Sequence, residues 1–157
     1  TCIAHSLEEN TNLLSHLTLE PTKKCQIIKL NAGSKEYNIW DFGGQERHLD
    51  SHLDDEKTFL GANKLIYVID IQDEDSHEPA LEYLKKIVEK IRKGGLEIQV
   101  SVFLHKFDPE LELDGKLATI GDGLKKKIAA IIPSEMGYKI FKTTIYTMFQ
   151  QNRFYPL

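Results

Sequence analysis

Cysteine is scarce in this sequence, with two thiols, Cys2 and Cys25, among 157 residues. Two cysteines at unrelated spacing make neither a zinc cluster nor a disulfide framework. They are expected to be reduced, mostly buried thiols of a cytosolic protein. Long apolar runs are also missing. No stretch approaches the ~20 residues of a membrane span, and no secretory signal is visible at Thr1. The closing Arg153-Phe154-Tyr155-Pro156-Leu157 offers no cysteine to a prenyl group. A cytoplasmic protein without a transmembrane segment is therefore expected. Nor is there a surplus of basic residues: 20 Lys and Arg stand against 24 Asp and Glu, a formal net charge of -4. General nucleic-acid binding, which draws on many Lys/Arg-phosphate contacts, is excluded on that ground. Finally, no G-x-x-x-x-G-K-[ST] phosphate-binding loop occurs anywhere in the sequence.

What is present is an ordinary globular composition, 41% hydrophobic and 28% charged, enough for one core and one domain over residues 1–157. Residues 1–17 read as the continuation of a helix and then a loop. Thr22 to Leu30 and Tyr37 to Phe42 are β-rich runs around Asn31-Ala32-Gly33-Ser34, the pattern of an antiparallel hairpin. Leu65 to Asp70 is a continuous apolar run, as in a strand covered on both faces. Pro79 opens a helix whose Leu81, Leu84, Val88 and Ile91 share one face, and Gly94-Gly95 ends it. Ile98 to Leu104 is a second buried-type strand. Residues 115–132 predict a helix with Leu117, Ile120, Leu124, Ile128 and Ile131 on one face, weakened by Gly121 and Gly123. Tyr138 to Phe141 is a third buried-type strand. Strands alternating with helices predict an α/β fold: a mostly parallel, doubly wound sheet with one antiparallel hairpin.

In such sheets ligands bind beyond the carboxyl ends of the strands. Those positions hold Asp41-Phe42-Gly43-Gly44-Gln45-Glu46, His105-Lys106-Phe107-Asp108 and Thr143-Thr144-Ile145, with Pro21-Thr22 ahead of the hairpin. Each segment taken alone also fits a plain polar turn. Their common place at strand edges, in this order, is what suggests a site. His48 and His52 read as polar loop residues rather than metal ligands. Lys125-Lys126-Lys127 reads as a solvated helix face, with a phospholipid or partner contact as the minor alternative.

Asp41-x-Gly43-Gly44-Gln45 resembles the D-x-G-G-Q motif shared by Arf-like and Rag GTPases, and Trp40 before it resembles the W-D opening common in small GTPases. His105-Lys106-Phe107-Asp108 is similar to the H-K-x-D form of Rag proteins, where most relatives have N-K-x-D. Thr143-Thr144-Ile145 resembles their T-S-I. Together these features resemble a Rag-like small GTPase of the phosphate-loop NTPase type, over about residues 20–150.

The resemblance implies GTP/GDP and Mg²⁺ as ligands. Asp41 and Thr22 would serve the metal. Gly43 and Gly44 would let backbone amides approach a γ-phosphate. Gln45, four positions after Asp41, would orient the attacking water as the catalytic candidate. Asp108 would accept the N1 and N2 donors of guanine, which adenine lacks. Lys106 would lay its stem over the base or ribose. His105 stands where asparagine is usual, and Thr144 and Ile145 would offer amides near guanine O6. Intrinsic turnover would be slow, since GTPases often need an arginine from a partner. The expected partners are regulatory and effector proteins and a second Rag-like GTPase, with a peripheral place at endomembranes.

The missing phosphate loop is the departure from this family pattern. The separation of Thr1 from Thr22 suggests that Thr1 is the loop's own Ser/Thr position. The expectation is then a chain truncated at both ends, with the loop upstream. The rival readings are a pseudo-GTPase scaffold that binds no nucleotide and an Arf-like relative with a membrane-anchoring N-terminus.

Overall fold

The computed structural model describes residues 2–5, 22, 25–32, 34–44, 53, 58–108 and 115–144. The chain forms two compact units, Thr1–Asp55 and Glu56–Leu157.

In the first unit one helical turn, α1 (Cys2–His5), precedes β1 (Cys25–Ala32) and β2 (Lys35–Phe42). The two strands pair antiparallel, from Cys25 opposite Phe42 to Ala32 opposite Lys35. The expected hairpin is present, and its strands reach further into the link than the sequence indicated. Asn31 and Ala32 are strand residues, because ladder pairing with Glu36 and Lys35 outweighs the weak strand preference of asparagine. Alternation places Ile28 in the buried set while its neighbour Ile27 and the facing Trp40 stay exposed. Cys25 is an exposed free thiol, not the buried one expected.

The second unit carries β3 (Lys64–Asp70), a 3₁₀ turn (Glu74–Ser76), α2 (His77–Lys93), β4 (Gln99–His105), α3 (Lys116–Ile131), a second 3₁₀ turn (Ser134–Met136) and β5 (Tyr138–Lys142). The three strands form one parallel sheet in the order β3-β4-β5. Register aligns Leu65 with Val100 and Tyr138, then Tyr67 with Val102 and Ile140. These residues and Ile69 and Leu104 share one face. They pack with Leu81, Leu84 and Val88 of α2 and Leu117, Leu124 and Ile128 of α3 into a single core. Both helices thus lie on that face, as their apolar stripes require.

The alternate residues Ile66, Val68 and Phe141 are 42–44% exposed. Their apolar character is why β3 reads as a run without polar alternation. Among the described residues no helix packs on them. Phe103 and Phe141 meet edge to face there, with ring centroids 5.5 Å apart. Gly121 is buried against Ile71 and Phe107, so the glycine that weakens α3 by propensity lies in its contact face. Among the described residues no helix is long and apolar enough to cross a membrane.

Candidate functional site

Parallel register brings the carboxyl ends of β3, β4 and β5 to one edge of the second unit. Asp70 pairs with His105, and Leu104 with Lys142. Pairing continues past the strands. The Ile71 N–H donates to the His105 carbonyl at 3.0 Å, Thr143 N–H to the Leu104 carbonyl at 2.9 Å, and Phe107 N–H to the Thr143 carbonyl at 3.1 Å. Lys106 sits between these anchors with φ +60, a left-handed conformation that side chains other than glycine adopt at a cost of roughly 1–2 kcal/mol. The bonds on either side of it hold this bend, and the bend turns the following residues back across the sheet edge.

Asp108 lies beyond the bend with both carboxylate oxygens engaged. Oδ1 accepts from the Thr144 hydroxyl at 2.5 Å, and Oδ2 from Gln72 Nε2 at 2.8 Å. Each carboxylate oxygen has lone-pair capacity for a second donor. Thr144 was expected to act through its backbone amide, and the structure adds a role for its hydroxyl. Lys106 Nζ reaches Asp70 Oδ2 at 2.6 Å. Asp70 Oδ1 accepts from the Gln72 N–H at 3.1 Å, while its carbonyl accepts from Nε2 of the buried His77 at 2.9 Å. His105 Nδ1 shares a 3.0 Å hydrogen bond with the Thr143 hydroxyl. Burial pushes the His105 pKa below the usual histidine value, and the nearby Asp70 carboxylate opposes this more weakly. His105 is therefore neutral at pH 7. Phe107 turns into the core, and Lys142 Nζ stands 4.0 Å from its ring centroid.

In the first unit, the Thr22 hydroxyl donates to Asp41 Oδ2 at 2.8 Å. The two residues expected at the metal thus meet across 19 positions of sequence. Two oxygen donors side by side suit a hard cation such as Mg²⁺, which takes one or two protein oxygens and completes its shell with water and phosphate. They do not make a full protein cage, and among the described residues no group of three or more His, Cys, Asp or Glu could hold a metal. Gly43 is buried and Gly44 exposed, and among the described residues a Cβ on Gly44 would meet nothing within 4 Å beyond its chain neighbours. Packing among these residues therefore does not demand glycine at position 44. Gln45 and Ile145 lie outside the described residues.

Of the predicted residues in the second unit, His105, Lys106, Asp108 and Thr144 come together. Asp70 and Gln72, which carry no motif, join them, as does Thr143, the first residue of the T-T-I segment, through its bond to His105. One signal in the sequence marks Asp70 and Gln72: they sit at and just past the end of β3, the same strand-edge position that the motifs occupy after the other strands.

The Gtr1/RagA G protein conserved region matches residues 1–150 of the chain. Ras-related GTP-binding protein C of Homo sapiens is 36% identical over 121 residues, which cover 76% of this chain and 29% of that protein. Ras-related GTP-binding protein A of Dictyostelium discoideum is 27% identical over 118 residues, 73% of this chain and 39% of that protein. GTP-binding protein gtr2 of Schizosaccharomyces pombe is 36% identical over 92 residues, 59% of this chain and 28% of that protein. The chain thus spans well under half the length of these relatives. With parallel strands ending on H-K-x-D and T-T-I segments, a hairpin ending on D-x-G-G, and a family match over nearly the whole sequence, the chain belongs to the Gtr1/RagA family of Rag-like small GTPases.

Proposed function

We propose that the protein is a guanine-nucleotide switch that binds GTP and GDP with Mg²⁺ and slowly hydrolyses GTP, and that residues 1–157 belong to a single G domain. The observation that carries this reading is the presentation of Asp108. Its carboxylate stands at the carboxyl edge of the parallel sheet, oriented by Thr144 on one oxygen and Gln72 on the other. Guanine offers two adjacent donors, N1–H and the N2 amine, to two such oxygens. Adenine would leave the carboxylate unmatched, at a cost of about 2–5 kcal/mol. The Ile145 amide is assigned to guanine O6 by its motif, and Lys106 lines the base with its stem.

Thr22 and Asp41 supply the oxygens for Mg²⁺, supported by their mutual hydrogen bond. The cation neutralises phosphate charge when bound. Gly43 and Gly44 lend their amides to the γ-phosphate, and Gln45 holds the attacking water in line. Names of the relatives that include "GTP-binding" favour the same ligand. We further propose regulatory and effector proteins as partners, pairing with a second Rag-like GTPase, and a cytoplasmic location peripheral to endomembranes.

The test is to purify the full-length natural protein, denature it, and identify the released nucleotide by ion-exchange chromatography. Stoichiometric GDP or GTP is expected. Empty protein that also ignores added GTP with Mg²⁺ would overturn the reading in favour of a nucleotide-free scaffold.

A further inference from the structure

We propose that Gln72 is a positioning residue for guanine discrimination, holding the Asp108 carboxylate in the plane that a two-donor base requires. The inference rests on the reading of Asp108 as the guanine acceptor and deepens it. Gln72 Nε2 lies 2.8 Å from the Lys106 carbonyl and 2.8 Å from Asp108 Oδ2. Both neighbours only accept, so the amide must present its nitrogen to them and not its oxygen. Its two protons then go to two acceptors, one on the backbone at the strained bend and one on the recognition side chain.

The backbone of Gln72 is itself fixed. Its N–H donates to Asp70 Oδ1, and the preceding N–H, of Ile71, donates to the His105 carbonyl. Asp70 also anchors Lys106 Nζ through its other oxygen. The exit of β3 therefore clamps the loop after β4 through backbone, side-chain and ionic contacts, and Gln72 makes the one that reaches the recognition carboxylate. Thr144 holds the other oxygen. With both oxygens tethered, the carboxylate cannot rotate about its Cβ–Cγ bond without breaking a hydrogen bond. Rotation matters for a base that binds both oxygens at once and matters less for one that binds a single oxygen.

That difference supplies the readout. Hypoxanthine lacks the N2 amine and engages one oxygen, so GDP and IDP differ in how strongly they need the carboxylate plane. Gln72→Met keeps the length of the side chain and removes both donors. In the full-length natural protein, competition against a fluorescent guanine nucleotide should show GDP weakened about tenfold and IDP about threefold, so the GDP:IDP ratio falls about threefold. Gln72→Glu, which sets a carboxylate against Asp108, should weaken GDP further still. An unchanged ratio, including equal losses for both nucleotides, would overturn the inference and leave Gln72 a structural residue.

A second measurement needs no nucleotide. Hydrogen exchange at the Phe107 amide, relative to that of Val102 in the core, should accelerate in Gln72→Met, and an unchanged rate would count equally against the clamp. The base-site reading fails separately: wild-type protein that does not bind GDP, or Asp108→Ala that still prefers it to ADP, would remove that reading and this inference with it.

Discussion

In the proposed switch one carboxylate, that of Asp108, carries the choice of base. Both oxygens already accept from protein donors, so the group remains hydrogen-bonded when no base is present. Asp108→Ala should cost some fold stability, because Thr144 and Gln72 lose their acceptor, and more selectivity. The expected loss is about 2–5 kcal/mol of guanine preference, measured as the ratio of GDP to ADP affinity. Retained selectivity would sink the assignment.

His105 makes a different kind of prediction. Burial holds its folded-state pKa below the unfolded value of about 6.5. In the window between the two, the unfolded chain binds more protons than the native one, so stability falls as pH is lowered through that window and is fully present above it. His105→Asn, which restores the residue usual in small GTPases, should flatten the fall of the unfolding midpoint between pH 7.5 and 5.5. Parallel curves for the two proteins would show that His105 is not the group responsible.

At the scale of elements, much was legible because short-range pattern and long-range packing agree. Leu81, Leu84, Val88 and Ile91 repeat at helical spacing, and all four are buried on α2. The hairpin and the parallel strands followed from β-rich runs and alternation with helices in the same way. What was not legible depends on contacts between distant positions. Gln72 is an exposed polar residue just past a strand, where sequence shows only loop chemistry, and its partners Lys106 and Asp108 lie 34 and 36 positions away. The link of Thr22 to Asp41 has the same character, although motif resemblance had already named both residues. Cys25 was misjudged because the general tendency of thiols to be buried carries no information about which face of a hairpin is covered.

The glycines of α3 show the limit of propensity alone. Gly123 is exposed and among the described residues a Cβ there would meet nothing within 4 Å outside its own helix backbone, so Gly123→Ala should stabilise the protein by about 0.5–1 kcal/mol in denaturant unfolding. At Gly121 a Cβ would lie 3.5 Å from Ile71 Cδ1 and 3.5 Å from Phe107 Cε2, ordinary contact distances. Gly121→Ala should therefore also stabilise, whereas Gly121→Leu should overpack by roughly 1–3 kcal/mol. Because Phe107 belongs to the H-K-x-D loop, the leucine variant should weaken GDP as well as the fold. If it lost stability with GDP affinity intact, the loop would be insulated from the core beneath it.

For the whole molecule the governing fact is charge. A chain of net charge -4 repels a polyphosphate anion at long range, so binding must be carried by local dipoles and cations. Within the described loop, the Lys106 ammonium is already paired with Asp70. In the proposed reading the neutralising charge is that of Mg²⁺, which the oxygens of Thr22 and Asp41 would hold. A ligand that binds the native state and not the unfolded one stabilises it by mass action, about 2.7 kcal/mol at a hundredfold excess over Kd. For a domain of this size that is roughly 5–10 °C in the unfolding midpoint. GDP with Mg²⁺ should produce such a rise in the full-length natural protein, ADP should not, and EDTA should remove much of it. Asp41→Asn separates the roles: it should lower the rise seen with Mg²⁺ and make what remains insensitive to EDTA, since a neutral amide holds the cation poorly. If EDTA removed as much from Asp41→Asn as from the wild type, the cation would be held without Asp41, and its carboxylate would have no part in carrying the phosphate charge.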